Sequence, residues 1–302
     1  MAHSHEHHHE HVHELTSLNK SFIIGITLNI LFVLVEFGIG FYYDSLGLLS
    51  DAGHNLGDVA SLVLAMLAFR LAKVHPNSRY TYGYKKSTVL VSLLNAVILL
   101  VAVGIIITES IEKLFHPVPV EGAAIAWTAG VGVVINAVTA WLFMKDKEKD
   151  LNVKGAYLHM AADTLVSVGV VISGIIIMYT GWTLVDPIIG LVIAVIIVIS
   201  TWSLLHDSLR LSLDGVPVGI DSEKIGRVIL EQPGVESYHH LHIWALSTTE
   251  TALTAHIVIG ALRRMEEVKR EVKHELEHVG ITHATLEFEY KGACCEGEDC
   301  IS

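Results

Sequence analysis

The chain has 302 residues, of which 52% are hydrophobic and 17% charged, and its mean hydropathy is +0.52. This composition is too apolar and too poor in charge for a typical soluble domain. The formal net charge of −12 argues against nucleic-acid binding, because surfaces that bind nucleic acid are basic.

Residues 1–20 form a tail rich in histidine and glutamate, and seven of the first thirteen residues are histidine. Flexible histidine-rich tracts are a compositional sign of metal binding. Zinc capture is therefore one hypothesis for this tail, and an affinity tag is the alternative, although the irregular spacing with glutamate looks native. The candidate ligands are His5, His7, His9 and His11.

Six apolar segments follow, each of about 20 residues, the length that crosses a hydrocarbon core about 30 Å thick. They lie at roughly residues 21–43, 49–70, 88–111, 122–144, 156–180 and 187–206. The sequence therefore predicts an all-α polytopic membrane domain of six transmembrane helices over residues 21–208. The helix of the second segment is predicted to begin at Ser50-Asp51.

Basic residues are concentrated in two of the loops between these segments. The second loop contains Arg70, Lys73, Arg79, Lys85 and Lys86, and the fourth contains Lys145, Lys147, Lys149 and Lys154. Short loops rich in lysine and arginine stay in the cytoplasm. We therefore predict a multi-pass protein of the cell (inner) membrane with both termini in the cytoplasm.

Two of the six segments carry the same pair of polar residues. The second contains His54-x-x-x-Asp58, and the fifth contains His159-x-x-x-Asp163. Residues four apart share one face of a helix. If the two faces meet, two imidazoles and two carboxylates form a ligand set that suits tetrahedral Zn²⁺. The alternative is that each pair only stabilises its own helix, but intramembrane ionisable residues are costly and usually functional.

Residues 209–291 are soluble in character, and within them 221–290 predict the order α-β-β-α-β. Residues 238–246 and 250–260 alternate as strands, and residues 263–279 form an amphipathic helix. On the first strand, His240 and His242 are predicted to share one face with Trp244 while His239 points the other way, and His256 lies on the second strand. These histidines are either metal ligands or surface residues of an open sheet.

The amphipathic helix contains His274-Glu275-x-x-His278, which matches the HExxH pattern of zinc proteases. Both histidines lie away from the apolar face of the helix, so we expect them to face water. A soluble domain of about 90 residues is also small for a protease cleft. A zinc metalloprotease is therefore an unfavoured alternative.

Residues 292–302 form a short tail that contains Cys294, Cys295 and Cys300. An odd number of cysteines in a tail predicted to be cytoplasmic favours reduced thiols or metal ligands over a disulfide framework.

The segment DSLGLLSDAGHNLGD, the second pair in HMAAD, the six segments and the soluble C-terminal domain resemble the cation diffusion facilitator family. Within this family, the sequence is similar to bacterial zinc/cobalt/cadmium exporters over about residues 15–290. The resemblance implies a homodimer that exports divalent metal ions from the cytoplasm in exchange for protons, with Zn²⁺ as substrate and as a regulatory ligand.

The resemblance also assigns residues. His54, Asp58, His159 and Asp163 fall on the transport-site positions of the family. His239 and His256 fall on positions that bind regulatory metal in a ferredoxin-like cytoplasmic domain, and Glu287 and Glu289 stand where the family has His and Asp. The loop at 73–88 contains one histidine and no acidic residue, so it does not match the second metal site of some members.

The leading hypothesis is therefore a proton-coupled secondary transporter and not an enzyme. A membrane-bound metal sensor or storage protein is the main alternative. That alternative would explain the tails and the soluble domain, but not two ligand pairs within the apolar segments.

Overall fold

The computed structural model describes residues 8–42, 46–116, 122–182 and 184–290. Its N-terminal part contains long helices, and its C-terminal part is a small α+β unit. The long helices are α1 (His8–Tyr42), α2 (Leu46–Ala72), α3 (Ser87–Phe115), α4 (Gly122–Phe143), α5 (Leu151–Thr180) and α6 (Val185–Ser212). The C-terminal unit contains α7 (Ser222–Leu230), β1 (Val235–Ala245), β2 (Thr251–Ile259), a 3-10 turn (Leu262–Arg264), α8 (Met265–His278) and β3 (His283–Tyr290).

Within the described residues, four helical segments are long and apolar enough to cross a membrane. They are Lys20–Ile39, Asn55–Ala72, Ser87–Phe115 and Pro187–Ser212, and a shorter apolar stretch covers Gly130–Phe143. Large apolar side chains such as Val101 and Ile199 project outward from these helices. Four of the predicted spans are thus confirmed as apolar helices, and the spans placed on α4 and α5 stay predictions.

The second long helix begins earlier than the sequence predicted. It starts at Leu46 and includes Ser50-Asp51 in its second turn. The predicted start was wrong because the preceding Leu46-Gly47-Leu48-Leu49 stretch contains no helix-breaking proline and continues the helix.

The long helices pack as two groups. Helices α1, α2, α4 and α5 share one buried core, in which the Phe22 ring lies 4.8 Å from the Phe143 ring and 5.7 Å from the Phe69 ring. Helices α3 and α6 pack side by side and contact α5. Helix α5 therefore contacts both groups.

Helix α5 has defined ends. The Asp150 carboxylate caps its N-terminus by accepting hydrogen bonds from the backbone N–H groups of Asn152 (2.7 Å) and Val153 (3.3 Å). Gly181, with φ at +70°, ends the helix in the left-handed conformation that glycine adopts easily. The cap satisfies amides that the first turn would otherwise leave unpaired.

The C-terminal unit is a three-stranded sheet with two helices on one face. Strand β1 pairs antiparallel with β2, and β2 pairs parallel with β3. Val268, Val272 and Leu276 of α8 pack with α7 on the apolar side of the sheet. The predicted order α-β-β-α-β is confirmed, and α8 is amphipathic as predicted.

Polar contacts join the C-terminal unit to the adjacent ends of the long helices. The Lys86 ammonium donates to the carbonyl oxygens of Leu211 and Ala245, both at 3.0 Å, and pairs with Asp214 at 2.6 Å. At the turn between β1 and β2, the Thr248 hydroxyl donates to the second carboxylate oxygen of Asp150. The β1–β2 turn is thus bonded directly to the residue that caps α5.

Candidate metal centre

Helices α2 and α5 bring three of the four predicted intramembrane ligands together. The His159 Nε2 atom lies 2.6 Å from Asp58 Oδ1 and 3.8 Å from Asp163 Oδ2. One ligand atom from each of the three residues lies within 4.8 Å of the other two. The contact between Asp58 and His159 joins residues 101 positions apart, so it depends on the packing of the two helices.

Two residues of this group are almost completely buried, and the Asp163 side chain is 13% exposed. Asp58 is 2% exposed and His159 is 6% exposed. The Asp58 Oδ2 atom has no hydrogen-bond partner among the described residues. A buried carboxylate oxygen without a partner is costly, and a bound cation is one way to satisfy it. The donors are one imidazole and two carboxylates, and they suit a divalent cation of the zinc type.

The fourth predicted ligand is only partly accounted for. His54 lies in α2, one turn before Asp58, but its side chain lies outside the described part of the structure. The i, i+4 spacing places it on the Asp58 face of α2. Its role as a ligand therefore stays a prediction from spacing.

Asn55 directly follows His54 and contacts Glu36 of α1, and this pair was not predicted. The Asn55 amide donates to Glu36 Oε2 at 2.6 Å, and both side chains are buried. This bond ties α1 to α2 immediately beside His54. The available signal was a polar residue in each of two apolar segments, but sequence alone gives no way to pair them.

A second cluster lies on the open face of the C-terminal sheet. The His256 Nδ1 atom lies 2.7 Å from Glu289 Oε1, and His239 Nε2 lies 3.5 Å from Glu289 Oε2. Glu287 approaches His256 Nε2 at 3.4 Å. Ligand atoms of His239, His256 and Glu289 lie within 4.8 Å of one another. The three residues come from three different strands.

The predicted orientation of His239, away from His240 and His242, was wrong. The ladder is irregular between His239 and His242, and His240 has a positive φ of 50°. Tyr238 and Leu241 both pack on the core although they are three residues apart, so the bulge carries one extra residue. As a result, the rings of His239 and His240 lie 5.2 and 5.0 Å from the His256 ring. Exposed His242 lies opposite Thr254, and among the described residues it is not part of the three-ligand group.

The HExxH histidines lie on the outer surface of α8, as predicted. His274 and His278 are exposed and Glu275 is half-buried, and the two Nε2 atoms lie 3.3 Å apart. The remaining candidate ligands are in the tails. Their side chains lie outside the described residues, and this applies to His5, His7, His9, His11, Cys294, Cys295 and Cys300.

Comparisons with known proteins agree with this organisation. Residues 22–211 match the family model of the cation efflux transmembrane domain, and residues 217–290 match that of the cation efflux protein cytoplasmic domain. A cadmium, cobalt and zinc/H(+)-K(+) antiporter of Bacillus subtilis is 36% identical over 263 residues, which cover 85% of each chain. The zinc transporter ZitB of Escherichia coli is 37% identical over 304 residues, which cover 99% of this chain and 96% of that protein.

A solved structure is also similar to part of the chain. It is the metal-bound C-terminal domain of the CzcD transporter from Cupriavidus metallidurans, with 40% identity, a TM-score of 0.22 and coverage of 23% of this chain and 99% of that one. The full-length relatives named above are metal transporters and not enzymes. Two family matches that together cover most of the chain, with apolar helices in the first, assign the protein to the cation diffusion facilitator family of membrane cation efflux transporters.

Proposed function

We propose that this protein exports Zn²⁺, and also Co²⁺ or Cd²⁺, from the cytoplasm in exchange for protons. The transport site consists of His54, Asp58, His159 and Asp163. The observation that carries the proposal is the buried convergence of Asp58, His159 and Asp163 from two helices. The names of the relatives, which include cadmium, cobalt and zinc antiporters, support this substrate class.

The ligand chemistry links metal transport to proton transport. Metal binding requires deprotonated ligands, so binding releases protons and protonation releases metal. Unperturbed histidine titrates at about pH 6.5, which allows an imidazole ligand to exchange a proton for a metal ion near neutral pH. The two helices that hold the ligands also have different main neighbours, since α2 packs mainly on α1 whereas α5 packs mainly on α4 and α6. Movement of α5 relative to α2 would open the site.

The open-face cluster of the cytoplasmic domain is proposed to bind regulatory zinc. Two imidazoles and a carboxylate from His239, His256 and Glu289 fit a zinc ion. The bound ion would supply a cross-link between three strands. Glu287 lies at the edge of this set, and His240 and His242 are weaker candidates. Residues 217–290 match the family model of the cytoplasmic domain, and the name of that model describes a dimer. This match supports a homodimer.

The proposal includes the predicted topology. We propose a cytoplasmic tail over 1–20, six transmembrane helices over 21–208, a ferredoxin-like cytoplasmic domain over 209–291 and a cysteine-containing tail over 292–302. The positions of the basic loops support an inner-membrane protein with both termini in the cytoplasm.

The alternatives are less well supported. A sensor or storage protein does not need ligands that are buried among apolar helices. The protease alternative would use His274, Glu275 and His278, but both histidines project from an exposed helix surface. Such a surface does not enclose a peptide substrate.

Flux measurements in proteoliposomes with an imposed pH gradient test the proposal. Zn²⁺, Co²⁺ and Cd²⁺ uptake should depend on the gradient, and His54→Ala, Asp58→Ala, His159→Ala and Asp163→Ala should each abolish it. Thr164→Ala is the matched control, because among the described residues the Thr164 hydroxyl bonds only the Met160 carbonyl of its own helix, at 2.7 Å. Wild-type flux in Asp163→Ala would refute the proposed transport site. Equal metal flux with and without the pH gradient would refute proton coupling.

A further inference from the structure

The outer flank of α8 carries four potential metal ligands in one row. Glu271, His274, Glu275 and His278 stand at positions i, i+3, i+4 and i+7, so they follow one stripe along the helix. We call this set the α8 stripe. It flanks the apolar face, and on the solvent side His274 lines a groove together with Lys269, Arg270 and Lys273. The stripe is therefore a histidine- and carboxylate-rich surface.

The two imidazoles are already at a distance that suits a shared metal ion. Their Nε2 atoms lie 3.3 Å apart, and the ring centroids are separated by 4.6 Å. Zinc binds imidazole nitrogen at about 2.0–2.1 Å, so two nitrogens on one tetrahedral ion lie about 3.3 Å apart. A weak N–H···N hydrogen bond between the two Nε2 atoms would explain the same distance. The experiment below distinguishes this hydrogen bond from a shared metal ion.

Carboxylates complete the donor set. A Glu275 oxygen and one nitrogen from each histidine lie within 4.8 Å of one another. Glu271 lies one turn before Glu275, and its Oε2 atom is buried with no hydrogen-bond partner among the described residues. The stripe thus offers two nitrogens, a nearby oxygen and further negative charge.

This group is separate from the open-face cluster of the same domain. Helix α8 packs against the face of the sheet that contains Leu253, Ala255 and Ile257. His256 points to the other face, because neighbouring side chains of a strand alternate. The sheet therefore stands between the two groups, and one metal ion cannot bind both.

We propose that the α8 stripe is a surface site for a divalent cation that prefers imidazole, with His274 and His278 as the chelating pair and Glu275 as the third ligand. Zn²⁺ is the probe of choice. The exposed position leaves the remaining coordination to water, so the site binds without enclosing the ion. It is independent of the transport site and goes beyond the proposed transport activity.

Site-resolved histidine modification of the full-length protein tests this proposal. The purified protein is treated with diethyl pyrocarbonate at increasing Zn²⁺, and modification at each histidine is followed by mass spectrometry. Only the metal-free fraction reacts, so Zn²⁺ about tenfold above its dissociation constant should slow modification of His274 and His278 about tenfold. His75 and His116 are exposed internal controls, and their modification should not change.

Two variants separate chelation from the alternative. His274→Ala should remove the zinc protection of His278, whereas Glu277→Ala, which removes a carboxylate outside the stripe, should leave it intact. Equal modification rates with and without Zn²⁺ would overturn the site and leave the hydrogen-bonded pair. Zinc protection of His278 that survives in His274→Ala would also overturn it. Neither outcome bears on the flux of Zn²⁺, so failure here and failure of the transport proposal are distinguishable.

Discussion

Asp150 shows how one buried carboxylate can serve two parts of the chain. One oxygen caps α5, and the other accepts the Thr248 hydroxyl from the β1–β2 turn. Burial raises the pKa of Asp150 above its ordinary 3.8, although the hydrogen bonds from Thr248 and from the backbone of Asn152 and Val153 oppose this shift. Sequence patterns identify it only as an acidic residue in a loop.

The raised pKa has a defined effect on stability. A carboxyl group whose pKa is raised by folding stabilises the native state fully below its unfolded pKa, and this contribution is lost as pH rises through the folded pKa. We therefore expect wild type to gain melting temperature relative to Asp150→Asn as pH falls from neutral through the raised pKa. A difference that is independent of pH would contradict the raised pKa. Thermal unfolding of the detergent-purified proteins at each pH measures this difference in melting temperature.

Asp150→Ala provides the comparison for the cap itself. Asparagine caps a helix about as well as aspartate, but replacing the cap by alanine costs about 1 kcal/mol. We expect Asp150→Ala to melt below Asp150→Asn at every pH. Equal melting temperatures for the two variants would mean that the cap does not stabilise α5.

At the scale of elements, the bulge in β1 determines which histidines meet. His240 adopts a positive φ, which is unfavourable for residues other than glycine and worst for β-branched ones. We expect His240→Val to lower the free energy of unfolding by about 1–2 kcal/mol, because this conformation strains a β-branched residue. His240→Gly should not destabilise the domain.

His242→Val is the matched control. His242 is exposed, lies two residues further along the same strand and is paired in the regular ladder, where valine is well tolerated. Thermal melts in the presence of a chelator compare the three variants without metal effects. Similar losses for valine at 240 and at 242 would contradict strain at the bulge.

The helical elements were easier to predict than this strand. A helix keeps its period, so His159 and Asp163 were placed on one face from spacing alone, and the apolar face of α8 followed from the same rule. The β1 pattern assumed strict alternation, and one extra residue at His240 moved His239 to the face opposite to the predicted one. The pairing of Glu36 with Asn55 depends on how α1 packs on α2, which no local pattern contains.

At the scale of the whole molecule, all predicted metal-binding regions except the intramembrane site lie in segments assigned to the cytoplasm. In the proposed topology, the N-terminal tail adds a high density of histidine on the side from which an exporter collects its substrate. Weak binding there would raise the zinc concentration near the entrance. We expect deletion of residues 2–13 to raise the zinc concentration for half-maximal flux without lowering the maximal rate.

Flux in proteoliposomes over a range of zinc concentrations measures this effect. A matched tail of the same length, in which each histidine is replaced by glutamine, separates metal binding from chain length. If the deletion leaves the half-maximal concentration unchanged, the tail does not supply zinc to the transporter.

Helix α5 connects these scales because it is one continuous element from its cap to the candidate site. Asp150 and Asp163 are thirteen residues apart, a distance of about 20 Å at 1.5 Å per residue. The β1–β2 turn is bonded to Asp150 at one end of this helix, so a displacement of the turn can change the tilt of α5. A tilt of about 6° around Asp150 would carry the ligand end about 2 Å, which equals a zinc–oxygen bond length. A displacement of the β1–β2 turn that leaves the fold unchanged would thus be large enough to make or break a metal–ligand bond at the proposed transport site.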